Sequence, residues 1–117
     1  MRALLIDPNS KSIEEVEIIE NEDEEGLLDN FYSLIGCEMI EMMLFPSRDH
    51  AIIVDEEFLM KNPEPETFYY IHHLLPIYPD SFAGKGVIIG YNREEDEFTS
   101  CTLSVDEIRS SILFIDD

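Results

Sequence analysis

In a chain of 117 residues, 27 Asp and Glu stand against 7 Lys and Arg, for a formal charge of -20. Such a field repels phosphate backbones and argues against direct nucleic-acid binding. At 44% hydrophobic, with seven Phe and five Tyr, the chain is too apolar for a disordered acidic tail, and its length suits a single domain spanning residues 1–117.

Met1 and Arg2 are followed by only four apolar residues, "ALLI", before Asp7 and Pro8. Neither a secretory h-region nor a membrane span is expected, which points to a soluble, cytoplasmic protein. "RALLID" reads as a first strand, stopped by the turn "DPNS". "IEEVEII" alternates imperfectly through Ile13, Val16 and Ile18 and reads as its hairpin partner.

The period then changes to helical. Leu27, Leu28, Phe31, Leu34 and Ile35 recur on one face, and Gly36 supplies a left-handed stop. The acidic run "ENEDEE" lies at that helix's N-terminus, where the macrodipole favours negative charge. The dipole's effect fades within one turn and cannot account for the excess over the whole chain.

"CEMIEMMLF" and "HAIIVDE" read as strands joined by the turn "PSRD". "EEFLMKNPEPE" is a connector, and "TFYYIHHLL" fits a strand on its aromatic content. After the loop "LPIYPDSFAGKG" come the strands "VIIGY" and "FTSCTL", joined by the acidic turn "NREEDE". A final helix opens at Ser104, where "SVDE" forms a capping box with Glu107, and is expected to bury Val105, Ile108, Ile112 and Leu113. Together these elements imply an α+β fold: a mainly antiparallel sheet with one central helix and one C-terminal helix packed on it.

The stretches "RALLID", "LIGCEMIE", "AIIVDEE", "LLP", "GKGVIIG" and "FTSCTLSVDEI" resemble a family of small proteins of unknown function encoded by phages, plasmids and their bacterial hosts. The resemblance implies a mobile-element context and an intracellular site of action. It brings no established activity and no catalytic residue.

The residues that could carry chemistry give no motif. His72 and His73 are adjacent, so a strand sends them to opposite faces, and His50 is remote in sequence. Cys37 and Cys101 lack CxxC spacing and read as core thiols. "GKG" at 84–86 lacks the spacing of a phosphate loop and reads as a tight turn. Serines 100, 104, 110 and 111 sit in no nucleophile elbow. The expectation is therefore a protein that is not an enzyme, with no metal and no cofactor.

What remains is the charge. A globule of this length is about 35 Å across, and about 35 Å of duplex DNA holds about twenty phosphates. The chain could then occupy a DNA-binding groove and pair with its Lys and Arg. The candidate partner-binding residues are Glu20, Glu22, Asp23, Glu24, Glu25 and Asp29 around the helix start, and Glu94, Glu95, Asp96 and Glu97 in the acidic turn, with Glu38 and Glu41 as further members. The bland alternative is a solvated surface. The expected partner is a basic host protein that handles nucleic acid, and a homodimer is compatible with the sequence.

Two other functions fit the residues. One is a protein-interaction module anchored on Tyr69, Tyr70, Tyr78 and Phe82. The other is a small-ligand sponge with a pocket between the sheet and the final helix. On any of these readings, self-repulsion of the surface should ease with salt, so the melting temperature is expected to rise from low to physiological ionic strength.

Overall fold

The computed structural model of the chain describes residues 1–8, 10–18, 24–36, 38–45, 49–55, 67–71 and 82–116. In chain order these form β1 (Arg2–Asp7), β2 (Ser12–Glu17), α1 (Glu24–Ile35), β3 (Ile40–Leu44), β4 (His50–Asp55), β5 (Thr67–Ile71), β6 (Phe82–Ala83), β7 (Gly86–Asn92), β8 (Glu97–Thr99), α2 (Val105–Ser111) and β9 (Ile112–Asp116). The fold is α+β, and every strand pairing among the described residues is antiparallel.

The main sheet runs β2-β1-β7-β4-β3, with β8 also paired to β7. Both of its faces are covered. On one, Leu4, Ile6, Ile52, Val54 and Ile88 pack with Leu103 and with Ile108 of α2. On the other, Ala3, Ile53, Val87 and Ile89 pack with Phe31 and Ile35 of α1. This double coverage explains why "AIIV" and "GVIIGY" are unbroken apolar runs, buried at every position, where a one-sided sheet would alternate. It also explains the imperfect alternation of β2, because Ile13 faces the α2 layer while Val16 and Ile18 face the α1 layer.

Helix α1 forms where the helical period predicts it and stops at Gly36, whose φ of 78° is left-handed. Gly36 N–H donates to the Tyr32 carbonyl at 2.8 Å, the bond expected of a C-cap in that conformation. At the other helix, the Ser104 hydroxyl accepts from the Glu107 N–H at 3.0 Å, so the capping signal is realised.

The C-terminal helix is shorter than its sequence suggests. It ends at Ser111, and Ile112 turns extended at φ -100° and ψ 135° to begin β9. Strand β9 pairs with β5, and β5 with β6, in a second, three-stranded sheet. Ile112 packs on the core from the strand, but Leu113 is 55% exposed rather than buried. The period-4 spacing that suggested a longer helix is overridden by ladder bonds to a distant segment, and "ILFID" is rich in strand formers.

The predicted strand "FTSCTL" is likewise truncated to β8, because the chain leaves the β7 ladder after Thr99 and meets β1. Cys101 N–H donates to the Arg2 carbonyl at 2.7 Å, and the Arg2 N–H donates to Ser100 Oγ at 3.1 Å. The Arg2 guanidinium closes the contact: Nη1 donates to the carbonyls of Cys101 at 2.8 Å and Leu103 at 2.7 Å, and Nε lies 2.9 Å from a Glu15 carboxylate oxygen. Arg2 thus satisfies two carbonyls of an irregular segment that no ladder reaches. Replacing Arg2 by Met is expected to cost about 2 kcal/mol of stability, read as a lower urea midpoint, and an unchanged midpoint would refute this role.

Candidate functional site

The acidic turn sits at one end of the main sheet and is closed by side-chain to backbone hydrogen bonds. Between β7 and β8, Asn92 Oδ1 accepts the N–H groups of Glu94 at 3.0 Å and Glu95 at 3.2 Å. Asp96 takes a left-handed φ of 55°, which Asp tolerates better than most residues. The side chains of Glu94, Glu95, Asp96 and Glu97 are all exposed. Arg93 donates through Nη2 to the Phe45 carbonyl, which ties the base of this tip to the end of β3.

Helix α1 is brought to the same end by an aromatic contact. Phe98 of β8 meets Phe31 edge-on at a centroid distance of 5.3 Å, and meets Tyr91 of β7 at 5.4 Å. Phe31 lies in the middle of α1, which the chain enters after the end of β2 and leaves toward the start of β3. The register agrees: Arg2 opposes Glu17, where β2 ends shortly before α1, and His50 opposes Gly90, two residues before the tip. Glu24 and Glu25 open the helix at that end, and Asp29 is exposed there.

The start of α1 and the β7–β8 tip therefore lie toward the same end of the main sheet. Glu20, Glu22 and Asp23 lie outside the described residues. Glu38 and Glu41 do not join the cluster, because Glu41 opposes Val54 and Val54 opposes Gly86, at the far end of β7. Glu17 and Asp49, both exposed, lie at the same end of the sheet, Glu17 paired there with the Met1 ammonium at 2.9 Å. Sequence reasoning missed them because only the pairing register shows that the end of β2 and the β3–β4 connection share an end with the β7–β8 tip.

Several of the residues weighed for other chemistry make hydrogen bonds within the fold. Ser100 accepts from Arg2, Ser104 caps α2, and the hydroxyls of Ser110 and Ser111 donate to the carbonyls of Asp106 and Glu107. Buried His50 accepts at Nε2 from the Thr102 N–H at 3.1 Å, which places the proton of a neutral ring on Nδ1. Its ring lies 6.4 Å from that of Phe45. Among the described residues, no group of three His, Cys, Asp or Glu is placed to hold a metal ion. His72, His73, Tyr78 and Cys37 lie outside the described residues. Tyr69 and Tyr70 fall on β5 and Phe82 on β6. Between the main sheet and α2, Leu4, Ile6, Ile88, Leu103 and Ile108 pack in one cluster.

Cys101 is buried, and its thiol lies 3.7 Å from the Leu103 carbonyl. Burial pushes its pKa above the ordinary thiol range, outweighing the opposing pull of the Leu103 hydrogen bond and of Arg2. The folded chain thus holds this proton more tightly than the unfolded chain. The resulting stability is present below the ordinary thiol pKa and is lost as pH rises through the raised value. In a Cys37→Ser background, Cys101 is expected to resist a thiol reagent until denaturant unfolds the chain, and fast labelling of the native protein would contradict its burial.

The model of a family described as Domain of unknown function (DUF3846) matches residues 1–111. The chain belongs to this family. The match takes in both helices, the whole main sheet and the acidic tip, so this DUF3846 domain comprises every feature of the candidate site. No curated protein and no solved structure matches it. Among the described residues of the domain, no helix is long and apolar enough to cross a membrane.

Proposed function

We propose that this chain is a non-enzymatic accessory protein of a phage or other mobile element, acting in the bacterial cytoplasm. On this reading it binds and inhibits a basic host protein that handles nucleic acid, by presenting DNA-like charge. The observation that carries the proposal is the convergence of the α1 start and the β7–β8 tip at one end of the sheet. On this reading the exposed Asp29 of α1 and the exposed Glu94, Glu95, Asp96 and Glu97 of the tip serve one partner from the same end, where Asn92, Arg93 and the Phe31–Phe98–Tyr91 contact shape the backbone.

The dimensions support the same reading. The long axis measures 41 Å, and duplex DNA of that length carries about 24 phosphates. The chain's net charge is -20. About half of the charges on a globule face any one partner, and a groove built to displace counterions from DNA gains an attraction of the same kind from those carboxylates, without any base to read.

The test is a pull-down from nuclease-treated bacterial lysate with the tagged chain, eluted by a salt ramp and then, separately, by added duplex DNA. A nucleic-acid-handling protein released by moderate salt and by DNA is the expected result. Recovery of no such protein, or of one that DNA fails to displace, would overturn the mimic.

A further inference from the structure

The two edges of the main sheet are unlike. Strand β2 presents exposed Glu14, Glu15 and Glu17, and α2 packs beside it, which is the usual defence of an edge against added strands. Strand β3, at the opposite edge, reads "IEMML" and has exposed Met42 (39%), with exposed Met39 (47%) just before it. Glu38 and Glu41 are exposed beside them.

The hydrogen-bond parity of β3 is fixed by its end. Phe45 N–H donates to the His50 carbonyl at 2.9 Å, and the register aligns Leu44 with Ala51 and Met43 with Ile52. Backbone groups alternate sides along a strand, so Met43 and Glu41 also turn theirs toward β4. The N–H and C=O groups of Ile40, Met42 and Leu44 consequently point outward from the sheet, and among the described residues no strand pairs with them.

The faces alternate too. Ile40 packs in the α1 layer and Met43 in the α2 layer, so Met42 belongs to the α1 side and Glu41 to the α2 side. A strand added here would meet an apolar row on one side and a carboxylate on the other. A second copy of β3 would bring another -20 charge to the contact, whereas a cationic segment is attracted to it.

We propose that the β3 edge is a docking site for an extended segment of another protein, added to the sheet in β fashion. That segment carries Lys or Arg beside Glu41 and an apolar residue beside Met42. Main-chain bonds to Ile40, Met42 and Leu44 give the affinity, and the alternation gives the specificity. This surface is separate from the acidic tip, so the proposal does not rest on the nucleic-acid reading.

The probes are two capped octapeptides of identical composition, one alternating Val with Lys and one with its valines and lysines in separate blocks. The readout is amide exchange and chemical-shift change by NMR on the whole chain. The alternating peptide is expected to protect the amides of Ile40, Met42 and Leu44 and to shift signals of β3 and its neighbours. Met42→Pro removes an outward donor without touching the β4 ladder and should weaken binding by about tenfold or more. Glu41→Lys, which leaves the backbone intact, should do so by charge alone, and unchanged β4 and β7 amides report that each variant is folded. Equal binding of the block peptide, or shifts centred on the 93–97 tip, would overturn the proposal. Concentration-dependent protection of the same amides without peptide would also overturn it, by making a second copy the occupant.

Discussion

Replacing Gly90 by alanine is expected to lower the stability of the fold by about 3 kcal/mol and the melting temperature by about 10 °C. Gly90 lies in the middle of β7, opposite His50 on one side and Thr99 on the other. A Cβ built there would lie 2.5 Å from the Ser100 carbonyl oxygen, 2.9 Å from that of Thr99, and against Thr99 Oγ1. The hydroxyl could rotate away, but the two carbonyls belong to the backbone that carries β8 toward Arg2. Relief therefore requires moving the 99–101 segment, which would strain the Arg2 clamp and the Cys101–Arg2 bond together. Gly36 provides the contrast: its φ is left-handed at 78° but nothing lies within 4 Å of its would-be Cβ. Gly36→Ala should cost only about 1 kcal/mol, from conformation alone. Urea denaturation of both variants decides the matter, and a Gly90→Ala chain as stable as Gly36→Ala would mean that the 99–101 backbone yields freely.

The same comparison shows where the sequence is readable. Strand β1, helix α1, its stop at Gly36 and the cap at Ser104 are encoded within a few residues, by period, by a single glycine or by one hydroxyl, and they form where those signals place them. The fate of "SSILFID" is not local. Its spacing is compatible with a helix, and only pairing with β5, some forty residues earlier in the chain, makes it a strand. Gly90 reads as an ordinary residue inside "VIIGY", because what requires it is the close approach of Thr99 and Ser100. The acidic site divides in the same way. The sequence shows that residues 20–29 and 94–97 are rich in carboxylates, but not that the start of α1 and the 94–97 tip share an end, which follows from the β1–β7–β4 register and from the Phe31–Phe98 contact. Nor could it separate Glu41 from them or add Asp49, since both assignments depend on which end of the sheet a turn occupies.

Reversing Glu94, Glu95 and Asp96 to lysine is expected to weaken binding to the captured host protein on the order of 100-fold at low salt, while leaving the fold intact. All three side chains are exposed, and the turn is built by the Asn92 side chain and the φ of Asp96 rather than by the carboxylates. Lysine is less favoured at a left-handed position, so Glu94→Lys with Glu95→Lys alone serves as a second variant in which residue 96 is untouched. The control must hold net charge constant. Glu14→Lys, Glu38→Lys and Glu41→Lys make the same change of charge on exposed residues remote from the tip. If the mimic works by overall charge, both triples lose affinity equally; if the α1–tip surface faces the partner, the tip triple loses far more. Salt dependence separates these outcomes independently, because the slope of log affinity against log salt falls with each counterion-releasing contact removed. A tip triple that keeps its affinity and its slope would take this surface out of the interface. Greater loss in the control triple would move the interface toward β3, because Glu38 and Glu41 flank that edge and Glu14 lies on the opposite one.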